Sequence, residues 1–118
     1  MVILTLNCAP KEIKFRLMVA DNFLKRFLGL MGRFRLEPNT GLLLTPCNSI
    51  HMMFMRFPID VIFYDKNYKV VKVATELKPW TGICIAPGAS GAIELPAGTL
   101  SQLPLESLTS IKIEPEPC

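Results

Sequence analysis

The segment Cys47-Asn-Ser-Ile-His-Met-Met-Phe-Met-Arg-Phe-Pro-Ile-Asp60 holds most of the groups that could do chemistry in this sequence. The only histidine, His51, sits there with Ser49, Arg56 and Asp60 among residues otherwise suited to a core. A histidine near neutral pH can act as a general base or bind a metal. Ser49, His51 and Asp60 are also the residue types of a hydrolytic triad. The spacing argues against that arrangement. No Gly-x-Ser-x-Gly elbow is present, and residues two apart on a strand hold their Cα atoms roughly 6–7 Å apart. A zinc site wants three or four ligands. Cys47 lies four residues before His51, and Cys84 could join them only through the fold. No metal and no cofactor is therefore expected. His51 reads either as a histidine hydrogen-bonded within a sheet or as a functional group.

Arg56 and Trp80 have two readings each. Arg56 and Asp60 flank a Phe-Pro-Ile bend, where they could form an ion pair that pins the turn. Alternatively, Arg56 and Arg26 present planar guanidinium donors to a carboxylate or phosphate. Trp80 is either a core lid, which tryptophan burial favours, or a stacking surface beside such a ligand. Glu94, in Glu-Leu-Pro-Ala-Gly-Thr, could orient an arginine, and Gly98 could supply a positive φ at the turn. The methionines Met18, Met31, Met52, Met53 and Met55 read as adaptable core filling.

Strands must position these groups. Residues 2–6 and 13–19 suit strands, and the second alternates, with Ile13, Phe15, Leu17 and Val19 inward and Lys14 and Arg16 toward water. Residues 8–12 read as their connection. Asp21 can cap a helix over 22–31, where Phe23, Leu24, Phe27, Leu28 and Met31 recur at three- and four-residue spacing. From Gly41 onward, short segments separated by Pro, Gly or Asn return to strand character. In Ser49–Met55, an extended strand puts Ser49, His51, Met53 and Met55 on one face and Ile50, Met52, Phe54 and Arg56 on the other. Asp65-Lys66-Asn67-Tyr68 marks a hairpin turn, after which Val71 and Val73 share a face. A helical turn could follow Leu95, and Pro104 would interrupt anything longer. The fold expected is mainly β: a compact antiparallel sandwich or barrel-like domain over residues 1–118, with one short helix.

Composition bounds the rest. With 50% hydrophobic and 19% charged residues the chain is no disordered segment, and 118 residues make about one domain. No apolar run approaches the roughly 18 residues of a membrane span. The N-terminal stretch has no charged region before its apolar residues and does not read as a signal peptide. A cytoplasmic location without a membrane partner is expected, and four scattered cysteines do not suggest a disulfide framework. The formal charge of +3 does not call for nucleic acid. Lys25, Arg26, Arg33 and Arg35 nonetheless cluster within residues 25–35, which hold no acid.

The pieces Asn22-FLKRFLGLMG-Arg33, Cys47 through Val73, Leu77-Lys-Pro-Trp80 and Glu94-LPAG-Thr99 resemble the family known as domain of unknown function 192. The resemblance runs from about residue 22 to residue 100. It is carried by Arg26, Gly29, Leu30 and Met31, then Ser49, His51 and Met55 through Val61, then Glu94 through Gly98. It implies a β-sandwich-like domain with one short helix and no settled activity or cofactor. Thr81 stands where many relatives place an arginine, and Glu106-Ser107 where many place Gly-Asp.

Three functions compete. The leading one is a ligand-binding or accessory module for a small anionic ligand, with a polar pocket of Arg26, Ser49, His51, Arg56, Asp60, Trp80 and Glu94. The second is a small hydrolase- or lyase-like enzyme using His51 and Asp60 as acid–base partners. The third is weak nucleic-acid binding through the basic 25–35 segment. Oligomeric state is left open.

Overall fold

The computed structural model describes residues 1–8, 11–22, 36–52 and 55–117. Among them lie nine strands: β1 (Val2–Cys8), β2 (Lys11–Ala20), β3 (Thr40–Leu44), β4 (Ser49–His51), β5 (Ile59–Tyr64), β6 (Val70–Leu77), β7 (Ile83–Ile85), β8 (Gly91–Pro96) and β9 (Lys112–Pro115). Seven form one sheet in the order β6-β5-β8-β3-β2-β1-β9, and β4 pairs with β7 in a second, small sheet. The mainly β architecture expected from the alternating segments is what forms. The helix expected over 22–31 lies, all but Asn22, outside the described residues.

β1 and β2 pair from Val2↔Leu17 to Cys8↔Lys11, so the expected 8–12 connection is shorter than the sequence suggested. Phe15 and Leu17 are buried and Lys14 and Arg16 exposed, as the alternation requires. One pairing departs from the antiparallel expectation: β2 and β3 run parallel, from Arg16↔Thr40 to Ala20↔Leu44. A parallel pair cannot be joined by a tight turn and needs a crossover of a dozen or more residues. The stretch between Ala20 and Thr40 supplies that length.

The large sheet is covered on both faces. Leu4, Leu6, Phe15, Leu17, Ile93 and Leu95 build a cluster on its concave side. Two 3₁₀ turns, Leu100–Gln102 and Leu105–Ser107, close that side with Leu100, Leu103 and Leu108, and Pro104 separates them as expected. The opposite face packs Leu42, Leu44, Val61 and Phe63 against Ile50 and Met52 from the second sheet and its exit. β5 lies between the two clusters and is buried at all six positions, which explains its near-continuous apolar run. The sheet curls into a half-barrel. Its outer strands meet at one end, where the Val70 amide donates to the Thr109 carbonyl (2.9 Å) and the Ile111 amide to the Tyr68 carbonyl (2.9 Å).

The turn at Asp65 forms as its residue types suggest. Its carboxylate accepts from the amides of Asn67 (2.8 Å) and Lys69 (3.1 Å), and Tyr68 takes φ 61°. Beyond it the alternation of β6 fails. Register shifts between Phe63 and Tyr64 and between Ile59 and Val61 leave Val70 and Val73 packed on the same cluster, while Val71 is exposed. The expected Val71–Val73 face is thus corrected by bulges, each of which inserts an unpaired residue and re-aims the side chains beyond it.

Candidate functional site

The signature segment does not run as one strand. β4 ends at His51, and Met53 and Phe54 lie outside the described residues. Over its three residues the expected face assignment holds: Ile50 is buried and Ser49 exposed. Past Met52 it does not. Met55, expected beside Ser49 and His51, is buried, and Arg56, expected beside Ile50, is exposed. The Met55 amide donates to the Met52 carbonyl (3.3 Å), which turns the chain and ends the alternation. Met52 and Met55 fill the core as their flexibility suits, and Met18 packs at its edge.

The antiparallel register of the small sheet pairs Ser49 with Ile85, Ile50 with Cys84 and His51 with Ile83. Directly opposite residues share a face, so Ser49, His51, Ile83 and Ile85 all stand on the outward side. Ile50 and Cys84 turn inward, and Cys84 and Cys47 pack against the cluster beneath. Ile83 and Ile85 are 68% and 55% exposed. Trp80 lies at the His51 end, because its amide donates to the Met52 carbonyl (2.8 Å) and the Met52 amide to the Gly82 carbonyl (2.9 Å). Trp80 is 61% exposed, with φ 64°. The core-lid expectation is overturned. The hydrogen-bonded turn at Lys78–Thr81 holds the indole outward, and the Thr81 hydroxyl closes it on the Lys78 carbonyl (2.6 Å).

Asp60 is elsewhere. Its register partner Leu95 belongs to the concave-side cluster, so the carboxylate points through the large sheet away from β4. It is completely buried. Oδ1 accepts the Glu76 amide (2.8 Å) and Oδ2 the Leu100 amide (2.8 Å). One side chain thereby ties β5 to the bulge of β6, where Glu76 holds φ 52°, and to the first 3₁₀ turn. A buried carboxylate needs such donors. Arg56 is not among them, so the expected Arg56–Asp60 ion pair does not form. Asp60 and His51 are not brought to one cleft, and the triad types are dispersed.

Glu94 faces the other way. It pairs with Leu42 and Val61, on the side that packs against the small sheet. It is buried, and its Oε1 has no hydrogen-bond partner among the described residues. Burial pushes its carboxyl up to about 8, since the charged form loses its water without gaining a donor. Arg26, the candidate arginine of the helix, lies outside the described residues, as does the whole basic segment 25–35. Gly98 adopts the positive φ expected of it, 88°.

Open clefts among the described residues are lined by none of these groups except Gly98. The largest, about 590 Å³, is lined in part by Ile3, Arg16, Pro38 and Pro115. A second, about 320 Å³, lies beside the Pro96–Thr99 turn and Leu36, and the third, about 340 Å³, beside Thr5 and Lys112. Of the candidate residues, Ser49, His51 and Trp80 gather on one surface, and Asp60 and Glu94 are sealed on opposite faces of the large sheet. The sequence reading missed Ile83 and Ile85. Gly82-Ile-Cys-Ile-Ala86 is apolar at each strand position, so a period of two carries no sign of which face meets water.

Residues 5–113 match the model of the family described as Uncharacterized ACR, COG1430, the domain of unknown function 192. Among curated relatives, the UPF0127 protein of Pyrococcus furiosus is 42% identical over 102 residues, covering 81% of this chain and 84% of that one. The UPF0127 protein of Pyrococcus horikoshii is 41% identical over 80% of this chain and 84% of its own length. Among solved structures, a protein of unknown function from Novosphingobium aromaticivorans superposes with a TM-score of 0.82 at 22% identity, covering 95% of this chain and 83% of that one. A Sinorhizobium meliloti protein, provisionally described as a transcription regulator, gives 0.82 at 18% identity over 96% and 91%. At those identities the likeness is one of fold.

Proposed function

This chain belongs to the family of domain of unknown function 192, and from its own geometry we propose that it is a binding module whose recognition surface is the outward face of the small sheet. The observation that carries this reading is the company Trp80 keeps. Trp80, Ile83 and Ile85 stand exposed beside Ser49 and His51, instead of turning into the cluster that Ile50 and Cys84 join. Burying a large apolar side chain gains roughly 1.5–3 kcal/mol, so three left in water represent an affinity that a partner can use. Ser49 supplies a polar contact that orients a guest, including the carboxylate of a small anionic ligand, and the half-buried His51, with its Nδ1 buried, borders it. Asp60 belongs to the scaffold in this reading, and the exposed Arg56 is left outside it.

The test is an amide-resolved NMR titration with a fragment set containing aromatic carboxylates, phosphates and short aliphatic amides. Shifts concentrated at Ser49, His51, Trp80, Ile83 and Ile85, and lost in Trp80→Ser with Ile83→Ser, are expected. Shifts confined to the clefts beside Arg16 or Pro96, or none at the small sheet with any fragment, overturn the reading.

A further inference from the structure

Resting on the small sheet as the recognition surface, we infer that its partner is an extended polypeptide segment added as a third strand along the outer edge of β7. Backbone parity turns hydrogen-bonding groups of β7 away from β4. The Ala86 amide donates to the Asn48 carbonyl (2.8 Å) and the Met52 amide to the Gly82 carbonyl (2.9 Å). Hydrogen-bonded and non-hydrogen-bonded pairs alternate along an antiparallel ladder, which makes Ile50–Cys84 a hydrogen-bonded pair and Ser49–Ile85 and His51–Ile83 the intervening ones. The amides and carbonyls of Ile83 and Ile85 therefore point away from β4. Among the described residues no strand lies on that side.

Among the described residues, one side chain hydrogen-bonds to this edge. Lys72 of β6 places its Nζ on the Ile85 carbonyl at 3.0 Å. A lysine on an exposed edge is a common guard against adventitious pairing, and a strand arriving at β7 would displace it. The displaced ammonium, exposed to solvent, is then available to pair with an anion on the arriving strand. Residues 81–88, Thr-Gly-Ile-Cys-Ile-Ala-Pro-Gly, contain no acid, so a second copy pairing β7 to β7 would bring two displaced lysines together with no carboxylate for either. Three edge residues and one neighbouring indole also fall well short of the roughly 800 Å² per partner of a stable dimer. An extended segment with apolar residues at alternate positions, set against Ile83 and Ile85, and with an Asp or Glu for Lys72, meets both conditions. Strand addition of this kind takes affinity from main-chain hydrogen bonds and specificity from alternate side chains. Trp80, at the end of the edge, adds a surface for an aromatic or aliphatic residue of the same segment.

A display library of random linear nonapeptides panned against the protein tests this, with synthesised winners titrated by the fluorescence of Trp80, the only tryptophan. Winners should alternate apolar residues and carry an acid. Ile85→Pro removes one outward amide and leaves the ladder to β4 intact; it should weaken binding at least tenfold, with Ile85→Val within about threefold of wild type. N-methylation of the peptide at alternate amides, which leaves the protein unaltered, should abolish binding in one phase and spare it in the other. Panning that yields no binder, equal binding by the Pro and Val variants, or indifference to methylation phase overturns the inference. Fragment shifts at the small sheet without peptide binding would sink strand addition alone; an inert small sheet in both experiments would sink the binding surface as well.

Discussion

Glu94→Gln separates the electrostatic cost of one buried carboxyl from the rest of the fold. In the folded chain Glu94 is flanked by Leu42 and Val61, with Oε1 unpartnered among the described residues and its carboxyl raised from 4.5 to about 8. In the unfolded chain it ionises near 4.5. Between those values the folded state holds a proton that the unfolded state has released, so stability must fall as pH rises through the window. Below about 4.5 both states are protonated and nothing is lost; above about 8 both are ionised and the loss is complete. At about 1.4 kcal/mol per pH unit the window spans up to about 5 kcal/mol, comparable to the whole stability of a small domain. Glutamine has the shape of the protonated acid and does not titrate. Urea unfolding from about pH 5 to about pH 9, followed by far-ultraviolet circular dichroism because Trp80 is already exposed, should show the wild type losing roughly 2–5 kcal/mol relative to Gln. The two should nearly coincide at the acid end. Parallel curves, or a wild type that gains on Gln as pH rises, would refute the burial of Glu94 as the cause of its raised pKa.

Other expectations rest on single contacts. Asp60→Ala leaves the part-buried amide of Glu76 and the buried amide of Leu100 without this acceptor; it should cost about 2–5 kcal/mol by denaturation, with Asp60→Asn between it and wild type, and hydrogen exchange should accelerate first at those two amides. Gly91→Ala places a methyl group against the Tyr64 ring, which has no room to move in the core. A loss of about 1–3 kcal/mol is expected in thermal or chemical unfolding. Glu76→Gly relieves the left-handed backbone at φ 52° while keeping the amide that Asp60 uses, and should gain roughly 0.5–1 kcal/mol. Trp80→Ser should leave the unfolding midpoint almost unchanged, because an exposed side chain gives up little on truncation.

The division between sequence and fold can be argued residue by residue. Alternation located β2, because a half-buried strand writes its two environments into successive residues, while β1, β3, β5 and β8 were legible as short apolar runs, the later ones bounded by Pro, Gly or Asn. The Asp65 turn and the break at Pro104 were legible for the same local reason: an Asx side chain and a pyrrolidine ring act on neighbouring backbone. Local signals did not extend to β6, where two bulges moved Val71 out and brought Val70 and Val73 together. Nor could they show that β2 meets β3 in parallel, since the pairing joins segments separated by a long crossover.

The candidate site divides along the same line. Sequence alone determined which residues were chemically out of place: Ser49, His51, Arg56 and Asp60 in an apolar run, and Glu94 in a strand. Only the tertiary structure decided which of them meet. Facing alternates at every step along β5 and β8, so Asp60 and Glu94 leave the large sheet on opposite sides, although both belong to the same signature. The outward display of Trp80, Ile83 and Ile85 was decided by the register of a three-residue ladder and one turn. An isoleucine reads alike in either environment, and only the packing of distant strands fixes which face is left to water.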